Sequence, residues 1–244
     1  MLVANWKMNG SKSLLLEWIE VIGSSLSGDE EQNIIFCPPV CYLSIAHDLI
    51  NKRNLNIKLG AQDLDPNLET SLTGGTNGSM LRDLGCKYVI IGHSERRIFY
   101  KEDDKLILSK LNSASSENLD IIYCIGETQK EKETGQTFLS LKRQLDVLAE
   151  SNARNYSIAY EPVWAIGSGQ VAEFTYIEEI HSKIKEEVKT FKTRESVQIL
   201  YGGSVDSDSA LAILSLDKVD GLLIGGASLN QKEFSQILLK TLNK

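Results

Sequence analysis

Four polar side chains with catalytic chemistry follow short apolar runs of this sequence. Asn5 and Lys7 stand after the first run, His93 after the fourth and Glu161 after the sixth. A carboxylate and an imidazole are common proton carriers in enzymes, and ammonium and amide groups stabilise an oxygen that becomes negatively charged. Each of these residues, taken alone, is typical of an ordinary surface position. Whether the four side chains act together depends on whether the strands and helices that carry them bring them to one place.

Glycine-rich segments follow the last two apolar runs. Gly202, Gly203 and Ser204 come after the seventh run, and Gly225 and Gly226 come after the eighth. Glycines allow backbone N–H groups to approach an anion closely, although a single Gly-Gly pair is most often only a turn. Two such segments after neighbouring strands are typical of a phosphate site in a barrel enzyme.

The apolar runs themselves indicate strands. Several are continuous and rich in Ile, Val and Leu, as expected of parallel strands that are buried on both faces. Their spacing matches a strand followed by a crossover helix. The eight runs are residues 2–4, 34–37, 57–59, 88–91, 121–125, 158–160, 197–201 and 222–224.

The intervals between these runs show the periodicity of one-sided helices. Apolar residues recur at steps of three and four between residues 15 and 26, 138 and 148, and 177 and 191. Strict alternation of strand and helix predicts a parallel α/β fold, and eight units favour a closed (β/α)8 TIM barrel formed as a single domain by residues 1–244. A doubly wound open sheet has the same alternation and stays open as an alternative. Only closure brings the ends of the first and eighth strands together.

Composition narrows the possible partners and the compartment. The 244 residues carry a net charge of −7 without a block of Lys and Arg, which disfavours nucleic acid and anionic membranes as partners. No apolar run is long enough to span a membrane. The four cysteines lack zinc-site spacing and are predicted to be free thiols, which favours a reducing compartment and the cytoplasm. They are Cys37, Cys41, Cys86 and Cys124.

Five segments together resemble the signature segments of the triosephosphate isomerase family, in the order of that family and over essentially the whole chain. They are residues 5–10, 91–97, 160–167, 201–205 and 224–228. The resemblance implies an isomerase that interconverts dihydroxyacetone phosphate and D-glyceraldehyde 3-phosphate through an enediolate, in glycolysis and gluconeogenesis. It implies neither a metal nor an organic cofactor.

The resemblance also implies a role for each catalytic candidate. Glu161 corresponds to the general base and His93 to the electrophile, an imidazole that this family keeps neutral with a helix N-terminus. Lys7 supplies positive charge and Asn5 an amide donor, while Glu95 positions its neighbours. The substrate-binding residues implied are Asn5, Lys7, Gly167, Ser204, Gly225 and Gly226.

Two loops have functions implied by the same resemblance. The segment from Pro162 to Ala172 corresponds to a lid that closes on the substrate phosphate through the Gly167 N–H. The long loop from Gln62 to Gly78 corresponds to one that inserts into a second subunit, with Thr73 at its tip, which implies a homodimer.

Several positions depart from the family pattern. Asp63 stands where the family usually has Asn, and Gly75 stands where it usually has a Glu that reaches an Arg across the dimer. That Arg corresponds to Arg96, so the resemblance leaves the strength of the dimer open.

Cys124 follows the fifth strand, and two interpretations remain, a thiol beneath the catalytic carboxylate or an ordinary core thiol.

Two alternative functions remain. Another phosphosugar-processing barrel enzyme would share the glycine-rich phosphate site, but it would lack Lys7, His93 and Glu161 in these segments. A non-catalytic phosphate-binding homologue belongs to a different class, and the retention of all four catalytic positions argues against it.

Overall fold

Each of the eight apolar runs forms a parallel strand in the computed structural model, which describes residues 1–26, 33–66, 71–167, 171–191 and 197–242. Most strands exceed the predicted run by one or two residues, whereas the seventh begins at Ile199 rather than at Val197. The strands are β1 Leu2–Asn5, β2 Ile34–Cys37, β3 Ile57–Ala61, β4 Tyr88–Ile91, β5 Asp120–Ile125, β6 Tyr156–Tyr160, β7 Ile199–Tyr201 and β8 Gly221–Ile224.

The sheet closes on itself. The strands follow one another in the order β1 to β8, and β1 also pairs in parallel with β8, with Val3 opposite Leu223. The predicted (β/α)8 barrel is therefore confirmed, and the open doubly wound sheet is wrong. Because closure makes the first and last strands neighbours, the residues that follow all eight strands lie at one end of the barrel.

Ten helices flank the barrel in the described part of the chain. Within these helices the predicted apolar stripes are buried apart from Phe138, which is only half-buried, and in the first helix both Trp18 and Ile19 are buried. Leu26 and Phe191 lie just beyond the ends of their helices, yet both still pack against the core. The helices are α1 Lys12–Ser25, α2 Leu43–Lys52, α3 Gly78–Asp83, α4 Ser94–Phe99, α5 Asp104–Ser116, α6 Gln129–Glu133, α7 Thr137–Glu150, α8 Phe174–Val188, α9 Ala210–Leu214 and α10 Gln231–Leu242.

Buried apolar side chains form two layers. A smaller cluster fills the inside of the barrel and includes Val3, Ile122 and Leu200. A larger cluster lies between the sheet and the helices. The alternation of inward and outward side chains along each strand produces these two layers, and it gives the ends of the strands a rigid base.

None of the helices within the described ranges has the length and apolar character that a membrane crossing requires. The four cysteines are free thiols, and all but Cys41 are buried.

Candidate active site

A cavity of about 390 Å3 opens at the carboxyl ends of the strands. The four catalytic candidates identified from the sequence all line it, although they come from β1, β4 and β6. So do the glycine-rich turns after β7 and β8 and the described part of the predicted lid. The lining residues with a predicted role are Asn5, Lys7, His93, Glu161, Gly167, Gly202, Gly203, Ser204, Gly225 and Gly226.

Lys7 reaches the cavity because its backbone adopts an unusual conformation. Its φ of +52° lies in the left-handed region, a backbone conformation that residues other than glycine seldom adopt. The Lys7 N–H donates to Oδ1 of Asn5 (3.0 Å), and the Lys7 carbonyl accepts from the side chain of Gln62 (2.8 Å). Its ammonium pairs with Glu95 at 2.7 Å. A Cβ on Gly225 would lie 3.1 Å from Lys7 Cε, so the lysine stem passes closely over the turn after β8.

His93 is the N-cap of α4, and this position fixes which ring nitrogen carries the proton. The Glu95 backbone N–H donates to His93 Nδ1 at 3.2 Å. A ring nitrogen that accepts a hydrogen bond has no proton of its own, so the proton of the neutral ring is on Nε2. His93 Nε2 lies 3.0 Å from Oε1 of Glu161. The imidazole is thus a neutral donor directed into the cavity.

Glu161 is almost fully buried directly after β6, with 1% of its surface exposed. Its Oε2 accepts a hydrogen bond from the Ser94 backbone N–H at 2.9 Å, and its Oε1 faces His93. Gly202 leaves space beside it, since a Cβ there would lie 3.0 Å from Glu161 Cγ. Both carboxylate oxygens are engaged, so the side chain must leave these partners before it can act on a substrate.

Cys124 lies beneath this carboxylate, at the end of β5. Burial raises the pKa of its thiol well above the usual range, and the adjacent Glu161, to which the thiol hydrogen bonds, raises it further. Cys124 also belongs to the apolar cluster inside the barrel. Both interpretations of this cysteine therefore hold, and the thiol forms a neutral floor under the predicted base.

The turn after β8 is fixed by two tryptophans. The indole N–H groups of Trp6 and Trp18 both donate to the carbonyl of Ser228, at 3.1 and 2.9 Å. Ser228 Oγ in turn donates to the carbonyl of Gly225 at 2.6 Å. These bonds hold the short 3-10 turn Gly226–Ser228 against β1. The Ser228 N–H donates to the carbonyl of Gly225 at 2.9 Å, whereas Gly226 and Ala227 line the cavity, so their backbone amides are preorganised there as a phosphate site requires.

The predicted lid is anchored where the structure describes it, and Ser168, Gly169 and Gln170 lie outside the described residues. Ser204 Oγ donates to the carbonyl of Ala165 at 2.6 Å. Gly167 has a φ of +68°, a conformation that glycine adopts readily, and it lines the cavity. The lid and the turn after β7 therefore share one wall of the cavity.

Sequence reasoning missed Glu127, a buried carboxylate beneath the lid. Its Oε1 accepts hydrogen bonds from the hydroxyls of Tyr160 and Tyr176 and from the indole of Trp164, at 3.0, 3.0 and 2.8 Å. Burial raises the pKa of Glu127, and these donors oppose the rise. Its place after β5 was the available signal, because polar residues at that end of a barrel strand are typical of function.

Comparison with known proteins agrees with this geometry. A sequence model described as triosephosphate isomerase matches residues 1–241. The chain belongs to the triosephosphate isomerase family. It is 41% identical, in an alignment 246 positions long, to the triosephosphate isomerase of Shewanella amazonensis, and the alignment covers 96% of this chain and 94% of that protein. The triosephosphate isomerases of Shewanella baltica and Shewanella putrefaciens are 40% identical over the same shares of both chains.

Membership of the triosephosphate isomerase family confirms the resemblance found in the signature segments. It also agrees with the side chains that the cavity brings together, namely one carboxylate, one imidazole and one ammonium group. Among the residues described, no group of three or more His, Cys, Asp or Glu could hold a metal ion.

A second cavity of about 740 Å3 adjoins the first. Asn5, Lys7 and His93 line both cavities. The predicted interface loop forms one wall through residues 62–66 and 74–76, while residues 67–70 lie outside the described ranges. Whatever occupies this second cavity is adjacent to the candidate catalytic residues.

Proposed function

We propose that this protein interconverts dihydroxyacetone phosphate and D-glyceraldehyde 3-phosphate, a step of glycolysis and gluconeogenesis, with Glu161 as the general base. The single observation that carries the proposal is the convergence of Lys7, His93 and Glu161 on one cavity beside the preorganised Gly226–Ser228 turn. A proton carrier, a neutral donor, a positive charge and backbone amides are what an enediolate of a triose phosphate requires.

The proposed reaction begins with a change of partners at Glu161. A bound substrate draws the carboxylate away from Ser94 and His93, and Glu161 then takes a proton from the carbon next to the carbonyl. The electron pair of that C–H bond forms a carbon–carbon double bond, and the π electron pair of the carbonyl moves onto its oxygen, giving the enediolate. Glu161 returns the proton to the neighbouring carbon. A positioned base of this kind contributes about 10²–10⁴ in rate.

His93 and Lys7 act on the oxygens. His93 Nε2–H donates to the oxygen that gains charge, and a neutral ring can also help to move the hydroxyl proton between the two oxygens. The Lys7 ammonium and the Asn5 side chain stabilise the same charge, with Glu95 holding Lys7 in place at 2.7 Å. Backbone amides of the turns after β7 and β8 bind the phosphate, together with Gly167 and Ser204.

A coupled assay tests this function. Purified protein is given D-glyceraldehyde 3-phosphate, and formation of dihydroxyacetone phosphate is followed through its NADH-dependent reduction. We expect rapid turnover without an added metal or cofactor. A protein that binds inorganic phosphate but gives no turnover would support the non-catalytic homologue, and turnover only of other phosphosugars would support a different barrel enzyme.

We also propose that the protein is a homodimer in which the loop from Gln62 to Gly78 enters the second cavity of a partner copy. The rim of that cavity carries exposed apolar side chains, Met8, Val40 and Tyr100, which are 92%, 53% and 68% exposed. Exposed apolar residues grouped in this way are typical of an interface.

We further propose that the enzyme works in the cytoplasm, and its free thiols support this proposal.

Replacing Thr73, the expected tip of the loop, should separate the subunits. Thr73→Arg places a long, charged side chain at the point where a threonine is proposed to enter the cavity of the partner copy, and burying a charge without a matching partner is strongly unfavourable. We therefore expect a dimer for the parent and a monomer for the variant in sedimentation velocity. Activity should fall with dissociation, because the cavity is shared with Lys7 and His93. Thr190→Arg, at an exposed threonine after α8, is the matched control and should stay dimeric. A parent that is monomeric and fully active would contradict the proposal.

A further inference from the structure

Four charged side chains form a compact cluster behind the candidate active site. Lys110 Nζ lies 2.6 and 2.7 Å from the two carboxylate oxygens of Asp63 and 2.6 Å from Oε1 of Glu102. Arg96 contacts the same two acids, with Nη2 2.7 Å from Asp63 and Nε 2.7 Å from Glu102. Two cations and two anions balance one another, so the cluster is neutral as a whole.

The cluster is largely out of water. The side chains of Lys110 and Glu102 are 4% and 3% exposed. Burial raises the pKa of Asp63, while Lys110 and Arg96 oppose that rise and Glu102 adds to it. A buried charge that loses its partner is strongly unfavourable, so the balance depends on every member.

The four residues come from different parts of the chain and contact one another beside α4. Asp63 follows β3, Arg96 lies within α4, Glu102 follows α4, and Lys110 lies within α5. A helix of six residues, such as α4, is too short to be stable alone. Its position must therefore come from tertiary contacts, and Arg96 supplies two of them.

Residues at the start of α4 fix three of the four candidate catalytic side chains. His93 caps the helix, the Ser94 N–H binds Glu161, and Glu95 pairs with Lys7. A displacement of α4 would move these contacts together, and a misplacement of about 1 Å can lower a rate roughly 10²-fold.

We infer that Asp63 is a positioning residue that acts through Arg96, holding α4 where His93 and Glu95 meet the substrate oxygens. The inference rests on the function proposed above for the same site. Asp63 is well placed for this role because its carboxylate joins both cations, one on α4 and one on α5. Arg96 is thus neutralised within its own subunit, without a carboxylate from a partner.

Asp63→Asn tests the inference, because it removes the charge and keeps the shape. One carboxylate is then left with two cations, so α4 shifts and kcat falls about 10-fold, within the range expected for a sub-ångström displacement. KM changes little, since the phosphate-binding turns after β7 and β8 are not part of the cluster. A purely structural role would lower the melting temperature and leave kcat of the folded protein unchanged. Asp120→Asn, at the opposite end of the barrel, is the matched control.

Restoring neutrality provides a second test. Lys110→Met removes one cation and replaces it with an apolar side chain of similar length. Replacement of buried ion pairs by apolar groups is often tolerated. Combined with Asp63→Asn, it leaves Arg96 paired with Glu102, and we expect kcat to recover most of the loss. Parental kcat in Asp63→Asn, or a double variant as slow as Asp63→Asn alone, would overturn the inference.

A signal that does not depend on turnover separates this inference from the proposed function. The chain has three histidines, His47, His93 and His181, and NMR of their ring nitrogens follows each one. In Asp63→Asn the His93 signals should shift, while those of His181, buried in α8, stay in place. A parent without isomerase activity would refute the proposed function alone, whereas unmoved His93 signals would refute the role of Asp63.

Discussion

Glu161→Asp is expected to lower kcat about 10²-fold, the cost of moving a catalytic group by roughly one ångström. The change keeps a carboxylate but shortens its stem by one methylene. Glu161 is fixed by the backbone after β6, where its N–H donates to the carbonyl of Ile125 at 2.7 Å. The main chain therefore cannot advance to compensate, and the shorter acid stays too far from the substrate carbon.

Substrate binding should survive this change, because most of the amides proposed to bind the phosphate lie in the turns after β7 and β8. We expect KM to stay close to the parental value in steady-state kinetics with either triose phosphate. Glu150→Asp, at the exposed end of α7, is the matched control and should have parental kinetics. Near-parental kcat in Glu161→Asp would show that another group is the base.

Lys7→Met should lower kcat/KM by about 10²–10³-fold, the effect of removing one preorganised charge stabiliser from a transition state. The methionine side chain has a similar length but carries no charge. Lys7 lines the cavity, and its stem passes over Gly225. Its ammonium therefore lies close to the turn proposed to bind the phosphate, where it can stabilise negative charge on the proposed enediolate.

Two further variants distinguish the loss of the Lys7 charge from the loss of its partner and from the loss of any surface cation. Glu95→Gln keeps the ammonium and removes its partner, a partly exposed ion pair whose loss is worth about 1 kcal/mol or less, so its effect should be far smaller. Lys12→Met, at the exposed start of α1, controls for the general loss of a cation. If Lys7→Met stays within threefold of the parent, roughly the effect of a surface charge, Lys7 has no direct role.

Much of the fold was predictable because each element carries its own signal. A strand buried on both faces must be apolar throughout, as Ile34–Cys37 is, and a helix on the sheet must be apolar on one side, as α8 is. The predicted strands and stripes were therefore correct to within a few residues. The boundaries were less certain, as Leu26 and Phe191 show, because an apolar residue beyond a helix end can still pack against the core.

The residue types of the candidate site were also readable, because polar groups directly after buried strands have few structural reasons to be there. Glu127 was not predicted, because what distinguishes it is its hydrogen bonds with Tyr160, Trp164 and Tyr176, which come from other parts of the chain. Lys110 escaped notice for the same reason, as it lies within an ordinary helical stretch.

The eight strand–helix units, the polar residues that follow them and the family are all readable from the order of the amino acids. The folded barrel was needed to show that β1 pairs with β8, that Glu161 contacts Ser94 and His93, and that Asp63 joins Arg96 to Lys110. These two kinds of feature differ in the sequence separation of the residues that produce them. Periodicity records how each element is buried along its own length, whereas pairing and charge balance depend on residues that are distant in sequence and meet only when the barrel closes.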